Sequence, residues 1–174
     1  DAVADAVCSY LERPEMLAKL QRLWLIEAVK YNVLPLDDRF AERGDSQLAG
    51  RPELITGNRQ IVFGGLTRVP SLAMVNMANK SFAVTADIEV PTSGAEGVIV
   101  AVGGVTGGWS LYAKNGKLKF CYNFFGLQLT YVEGSSAMPP GQHQVRMEFA
   151  YDGGGLAKGG KISLFVDGTY AGEG

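Results

Sequence analysis

Apolar and polar residues alternate with a period of two through much of the second half of the chain. In residues 82–90 (FAVTADIEV), every second position from Phe82 to Val90 is apolar, and similar runs cover 109–114, 118–124 and 144–151. A period of two places alternate side chains on opposite faces of a strand. Each run therefore predicts a strand with one buried face, which restricts this region to a sheet-based fold.

Glycine marks the breaks between these runs. The chain has 23 glycines, and most follow residue 93 in pairs and triplets. Asn115-Gly116 supplies the two positive-φ positions of a type I′ hairpin. The cluster GGVTGG at 103–108 is similar in composition to a phosphate-binding loop, but a strand follows it instead of a helix, so it predicts a hairpin. The apolar run 97–102 predicts a central strand.

Roughly seven or eight short strands with regular turn signals predict an antiparallel β-sandwich, of jelly-roll or concanavalin-like type, over residues 81–174. No helical pattern separates the strands, which excludes a parallel α/β sheet. The fold class is therefore mainly β, preceded by a helical arm.

That arm is predicted from residue 14 to about 31. Pro14 suits the first helical position, and Glu15 suits the positive end of the helix dipole. Apolar residues recur at three- and four-residue spacing, and Trp24, Leu25 and Ile26 form a candidate docking surface because they widen the apolar side. The domain organisation is a helical arm and link (1–43), an irregular connection with a short first strand (44–80), and the sandwich (81–174).

Composition excludes several classes of function. The net charge of −2 argues against a nucleic-acid partner, which needs a Lys/Arg excess. No run of apolar residues is long enough to cross a membrane. Cys8 and Cys121 are too few for a disulfide scaffold, so both are predicted to be free thiols.

The residues that could carry chemistry are sparse. His143 is the single histidine, so any Ser-His-Asp or Cys-His arrangement must use it, but its place at a strand start after a turn predicts a solvated side chain. The alternation puts Trp109, Tyr122 and Phe124 on the inward side. A candidate ligand surface therefore rests on Tyr112, Asn123 and Phe125. No catalytic, cofactor-binding or metal-binding residue is predicted.

Several segments together resemble the C-terminal region of bacterial arylsulfatases. The resemblance covers almost everything after residue 13, and its segments are PEMLAKLQ (14–21), YNVLPLDDR (31–39), GGWSLY (107–112), NGKL (115–118), YNF (122–124), FAYDGGG (149–155) and VDG (166–168). It implies a bacterial parent enzyme, cytoplasmic or periplasmic, that hydrolyses sulfate esters. Such an enzyme uses a formylglycine, made from the Cys or Ser of a C/S-x-P-S-R motif, and a divalent cation, commonly calcium.

The motif of the formylglycine is missing from this chain. Cys8 is followed by SYLE and Cys121 by YNFF, and neither context supplies the proline or the arginine. No catalytic residue of the family can therefore be carried over. The resemblance also implies that chains of this kind continue past Gly174 with more strands, so we expect the sandwich to be C-terminally incomplete and an open strand edge to favour a homodimer.

Three hypotheses of function follow. The first is a non-catalytic accessory domain of an arylsulfatase, whose partner is the catalytic domain of the parent chain. The second is a lectin-like sandwich that binds carbohydrate, and the third is a free-standing hydrolase that uses His143.

Overall fold

The computed structural model describes residues 13–36, 38–39, 46–50 and 54–174. The chain divides into two compact units, Asp1–Phe40 and Ala41–Gly174. Cys8 lies outside the described residues. Within the described part of the chain, no helix is both long enough and apolar enough to cross a membrane.

The first unit contains helix α1, Pro14–Lys30, with Pro14 at its first turn as predicted. The helix ends before the proline at residue 35, because Asn32 adopts a left-handed conformation (φ 54). The Val33 N–H then donates to the Ala28 carbonyl at 2.8 Å, and the Asn32 N–H donates to the Val29 carbonyl at 3.2 Å. This is the Schellman pattern of a helix C-terminus, so Asn32 ends the helix.

The connection before the sandwich differs from the prediction in one respect. A short helix α2 (Ser46–Ala49) and a 3₁₀ turn (Ser71–Ala73) occur there, but residues 46–50 and 54–80 contain no strand. The side chain of Gln60 contacts this segment, since its amide donates to the Ala73 carbonyl and accepts from the Val75 N–H, both at 3.0 Å. The Gln60 side chain therefore satisfies backbone hydrogen-bonding groups of Ala73 and Val75, which in a sheet would bond to a neighbouring strand.

Eight antiparallel strands form the rest of the second unit, in agreement with the predicted number. Their bounds are β1 Phe82–Val90, β2 Gly97–Gly104, β3 Gly107–Lys114, β4 Lys117–Phe124, β5 Gln128–Ala137, β6 Gly141–Tyr151, β7 Gly160–Val166 and β8 Thr169–Glu173. Sheet 1 has the order β1-β6-β7-β8, and sheet 2 has the order β2-β3-β4-β5. The second sheet is thus inserted in the chain between β1 and β6, and the two sheets make a β-sandwich.

Strand β2 is an edge strand, and the prediction of a central strand is wrong. It pairs with β3 alone, and the register shifts between Val98 and Val100. Because of this bulge, Ile99 and Val100 both pack against the core. The near-continuous apolar run therefore results from a bulge and not from a neighbour on each side.

The core lies between the two sheets. Leu111 and Leu118 of sheet 2 and Val145, Met147 and Leu164 of sheet 1 are fully buried. The predicted alternation of β1 is confirmed, since every second side chain from Phe82 to Val90 is half-buried or buried and those between them are exposed.

The inward side of β4 is only partly covered. Leu118 and Phe120 are buried, but Tyr122 and Phe124, on the same face, remain 43% and 44% exposed. Both later aromatics thus lie on the side of β4 that the alternation predicts, but the buried cluster ends at Phe120 and does not include them.

One side of the sandwich is closed by close contact between its edge strands. A Cβ added to Gly172 of β8 would lie 2.7 Å from the Glu133 carbonyl oxygen of β5. Only glycine allows this approach of the two backbones. The edges at the other side are β1 and β2.

The glycine cluster at 103–108 is a hairpin, as predicted. Gly103 and Gly108 face each other across β2 and β3 with φ of 102° and 133°. A Cβ on either residue would overlap the opposite backbone. The glycines therefore serve the close approach of two strands, and Asn115-Gly116 (φ 55° and 78°) supplies its predicted turn.

Candidate functional site

A group of aromatic and polar side chains outside the core lies on the outer face of sheet 2. Register places Tyr112, Lys119 and Glu133 in one row across β3, β4 and β5. Ser110, Cys121 and Tyr131 form the adjacent row. The two rows define a small surface, which we call the tyrosine face, with Tyr112 and Tyr131 at diagonal corners.

Charges on the tyrosine face are paired with one another. The Lys117 Nζ lies 2.9 Å from Glu133 Oε1, and Lys119 pairs with the other carboxylate oxygen. The hydrogen bonds from Lys119 and then Lys117 lower the pKa of Glu133 to about 2, and the bond to Glu133 raises the pKa of Lys119. The carboxylate is therefore ionised at all physiological pH values.

The two tyrosines differ in exposure. Tyr112 is half-buried, and burial is the main cause of its raised pKa, followed by the nearby Cys121. Tyr131 is 61% exposed. Cys121 is a half-buried free thiol within β4, as predicted. The face thus offers one open aromatic ring beside a hydroxyl, a thiol and an ion pair.

The predicted ligand residue Asn123 is engaged by the protein itself. Its amide nitrogen donates to the carbonyls of Gly104 (3.4 Å) and Val105 (3.1 Å), and its oxygen accepts from the Gly126 N–H at 2.7 Å. The side chain therefore ties the β2–β3 hairpin tip to the β4–β5 tip. This role accounts for an asparagine at that position.

The third predicted ligand residue, Phe125, lies at the tip of the β4–β5 hairpin. It adopts φ 52°, is 61% exposed and packs edge-to-face on Phe124. Tyr112 and Asn123 share the outer face, but their register positions are opposite Lys119 and Gly108 respectively. The structure therefore does not bring the three residues to one point.

His143 is near the start of β6, but the prediction that it is solvated is wrong. Its side chain is 9% exposed. Nδ1 lies 2.7 Å from Asp167 Oδ2, and Nε2 lies 2.8 Å from the Pro139 carbonyl oxygen. The bond to Asp167, then the bond to Pro139, raises the pKa of the imidazole. Both nitrogens face acceptors, so neither is placed to activate a Ser or Cys nucleophile.

The predicted docking residues are exposed on α1. Trp24, Leu25 and Ile26 are 47%, 54% and 57% exposed, and the buried residue of the helix is Ala28. Leu20, Gln21, Trp24 and Leu25 line one open, shallow surface of the helix. The helix thus presents apolar side chains on more than one side.

Sequence reasoning missed Tyr131, Glu133 and the partners of His143. Tyr131 and Glu133 follow Leu129 at every second position, so period-two alternation in β5 could have placed all three on one face. The His143–Asp167 pair joins residues far apart in sequence, and no local pattern indicates it.

Three comparisons with known proteins returned no match: no family model, no curated protein and no solved structure matched this chain. Among the residues that the structure describes, no group of three or more His, Cys, Asp or Glu side chains is arranged to hold a metal ion.

Proposed function

We propose that the chain is the non-catalytic C-terminal accessory domain of an arylsulfatase. In this proposal the parent enzyme hydrolyses sulfate esters, and its formylglycine and divalent cation belong to a catalytic domain encoded upstream. The sandwich supports that domain or shapes its entrance, and α1 docks on it. The proposal begins from the resemblance of segments spread over residues 14–168.

The single observation that carries the proposal is the apolar exposure of α1. A helix at a protein surface normally keeps one polar side. On α1, five apolar side chains are each between 47% and 65% exposed, namely Leu23, Trp24, Leu25, Ile26 and Val29. Burying one such side chain contributes about 1.5–3 kcal/mol. A protein surface that covers this helix would therefore gain considerable free energy.

A second apolar segment supports a docking role. Ile61 and Phe63, in the connection before the sandwich, are 72% and 78% exposed.

The meander order of sheet 2 favours a concanavalin-like sandwich over the two Greek keys of a jelly roll. That finer fold assignment is part of the proposal.

The test uses the reading frame upstream of Asp1. We expect it to encode a C/S-x-P-S-R motif, and we expect its catalytic domain, expressed separately, to bind this chain in titration calorimetry. Leu25→Gln should weaken the binding at least tenfold, which corresponds to about 1.4 kcal/mol.

Leu127→Gln is the matched control, since Leu127 is 83% exposed on a hairpin of the sandwich. It should leave the affinity unchanged. An upstream sequence without the motif, or no binding between the two proteins, would overturn the proposal.

A second candidate, a lectin-like function, is favoured by the tyrosine face. An exposed aromatic ring beside paired hydrogen-bonding groups suits a sugar, because the apolar side of the sugar ring stacks and its hydroxyls bond to the ionic groups. Tyr131 supplies the ring, and Glu133 with Lys119 supplies the polar groups.

A glycan array of neutral and sulfated polysaccharides tests this candidate. Binding should disappear in Tyr131→Ala and persist in Tyr170→Ala, which removes a tyrosine of similar exposure (52%) from sheet 1. The absence of binding to any glycan on the array would end it.

A further inference from the structure

Strand β2 (Gly97–Gly104) has one unpaired edge. It hydrogen-bonds to β3 on one side, and no described residue pairs with the other side. In an antiparallel ladder, alternate residues of an edge strand direct their N–H and C=O groups away from the neighbour. These groups can pair with a further strand.

The sequence does little to protect this edge. Exposed edges usually carry charges, prolines or strong bulges that prevent pairing with another chain. Residues 97–113 contain no charged residue and no proline. The single protective feature is the bulge between Val98 and Val100, and the register from Val100 to Gly104 is continuous.

The other edges of the sandwich are less suited to pairing. β5 and β8 approach each other so closely that Gly172 packs against the Glu133 carbonyl. β1 carries Asp87 and Glu89 among its exposed residues. Of the four edge strands, β2 alone combines an open side with a complete lack of charge.

We propose that β2 pairs antiparallel with β2 of a second copy of this chain, about a two-fold axis near Ala101. The two four-stranded sheets 2 then form one continuous sheet. In an isologous contact each β2 lies against the same strand of the other copy, so a charge near the two-fold axis would lie close to its own equivalent and repel it, whereas the neutral β2 has no such cost. Each copy carries a net charge of −2, but none of that charge lies on β2.

A second copy is therefore the occupant that the charge distribution favours. A lipid surface is less suited, because residues 97–113 offer no Lys or Arg to hold anionic headgroups. This proposal goes beyond the accessory function and can hold whether or not the chain belongs to an arylsulfatase.

Sedimentation velocity at micromolar concentrations tests the proposal. The chain should be a dimer, and Ala101→Lys should raise the dissociation constant at least tenfold because it places two lysines near the axis. Gln128→Lys is the matched control: it adds the same charge on β5, at the opposite edge of sheet 2, and should leave the dimer intact.

Hydrogen exchange of the unaltered chain provides a second readout that does not depend on a variant folding. Among the amides of residues 97–104, those directed away from β3 should become protected as the concentration rises, and the amides of β1 should not. A monomer at all concentrations overturns the proposal. A dimer that persists in Ala101→Lys, or that is lost equally in Gln128→Lys, also overturns it. The same holds for a dimer in which the β2 amides directed away from β3 stay unprotected, and for a chain that binds phosphatidylcholine vesicles as a monomer.

Discussion

At the scale of single residues, His143 is the clearest case of a side chain with a defined structural role. Its two nitrogens contact a carboxylate of the β7–β8 turn and a carbonyl before β6. Both partners are acceptors, so the doubly protonated imidazolium satisfies both contacts, whereas a neutral ring leaves one of them without a proton. Protonation therefore favours the folded state at this position.

The first prediction follows from that linkage. The pKa of His143 is raised in the folded state above its ordinary value of about 6.5. Its contribution to the free energy of unfolding is therefore complete below pH 6.5 and is lost as the pH rises through the raised pKa. Urea unfolding can be measured at pH values from about 5 to about 9, in steps of about one pH unit. The free energy of unfolding should decline with rising pH in the natural chain and not in His143→Gln.

Asp167→Asn is the control for this prediction. It keeps the histidine but removes the carboxylate that raises its pKa, so the decline should move to lower pH. The same pH dependence in the natural chain and in His143→Gln would contradict the assignment, since His143 is the only histidine.

A second prediction concerns Leu111, which is fully buried between the sheets. Leu111→Ala should lower the free energy of unfolding by about 2–5 kcal/mol, because it removes buried apolar surface and leaves a cavity. Leu129→Ala makes the same change at a site 51% exposed on the same sheet and should cost less than about 0.5 kcal/mol. Equal losses in urea unfolding would contradict the position of the core.

At the scale of elements, the sequence predicted strands and turns well where the information is local. The alternation of β1 and the Asn115-Gly116 turn follow from steric preferences of adjacent residues, and the structure agrees with both. The position of β2 at an edge was not predictable in the same way. An apolar run is typical of a central strand with a neighbour on each side, but it also occurs in a strand with a bulge such as that at Val98–Val100. Only the register of the strands distinguishes the two cases.

The third prediction concerns the β2–β3 hairpin. Gly108→Ala should lower the free energy of unfolding by about 1–3 kcal/mol because the residue has a positive φ and its Cβ would overlap the Val102 backbone. Gly104→Ala is the matched control in the same hairpin, where a Cβ meets open space. It should change the free energy of unfolding by less than about 0.5 kcal/mol.

The same elements show why the candidate sites were only partly predictable. Tyr112 was expected on the outer face from alternation alone, and it lies there. Asn123 satisfies three backbone groups in two hairpin tips, a role that depends on how β2 and β5 flank the central strands. Contacts between distant segments are set by sheet order, which a single sequence does not specify.

At the scale of the whole molecule, the hydrophobic core belongs to one unit. Every buried member of the core cluster, from Val90 to Leu164, and every residue packed against it lies within residues 82–171. None of the described residues of the arm, 13–36 and 38–39, belongs to this set. The sandwich thus has the components of an independently folding domain.

The last prediction is that residues 44–174 fold without the arm. Trp109 packs against Phe82 and Phe120, so its fluorescence reports the sandwich, and Trp24→Phe in the full chain removes the other tryptophan signal. The free energies of unfolding of Trp24→Phe and of the shortened chain should agree within about 0.5 kcal/mol, because the core residues are the same. If removing the arm lowers the free energy of unfolding by more than about 2 kcal/mol, apolar residues of α1 contribute to the stability of the sandwich. The exposed surface of the helix is then smaller than the docking proposal requires.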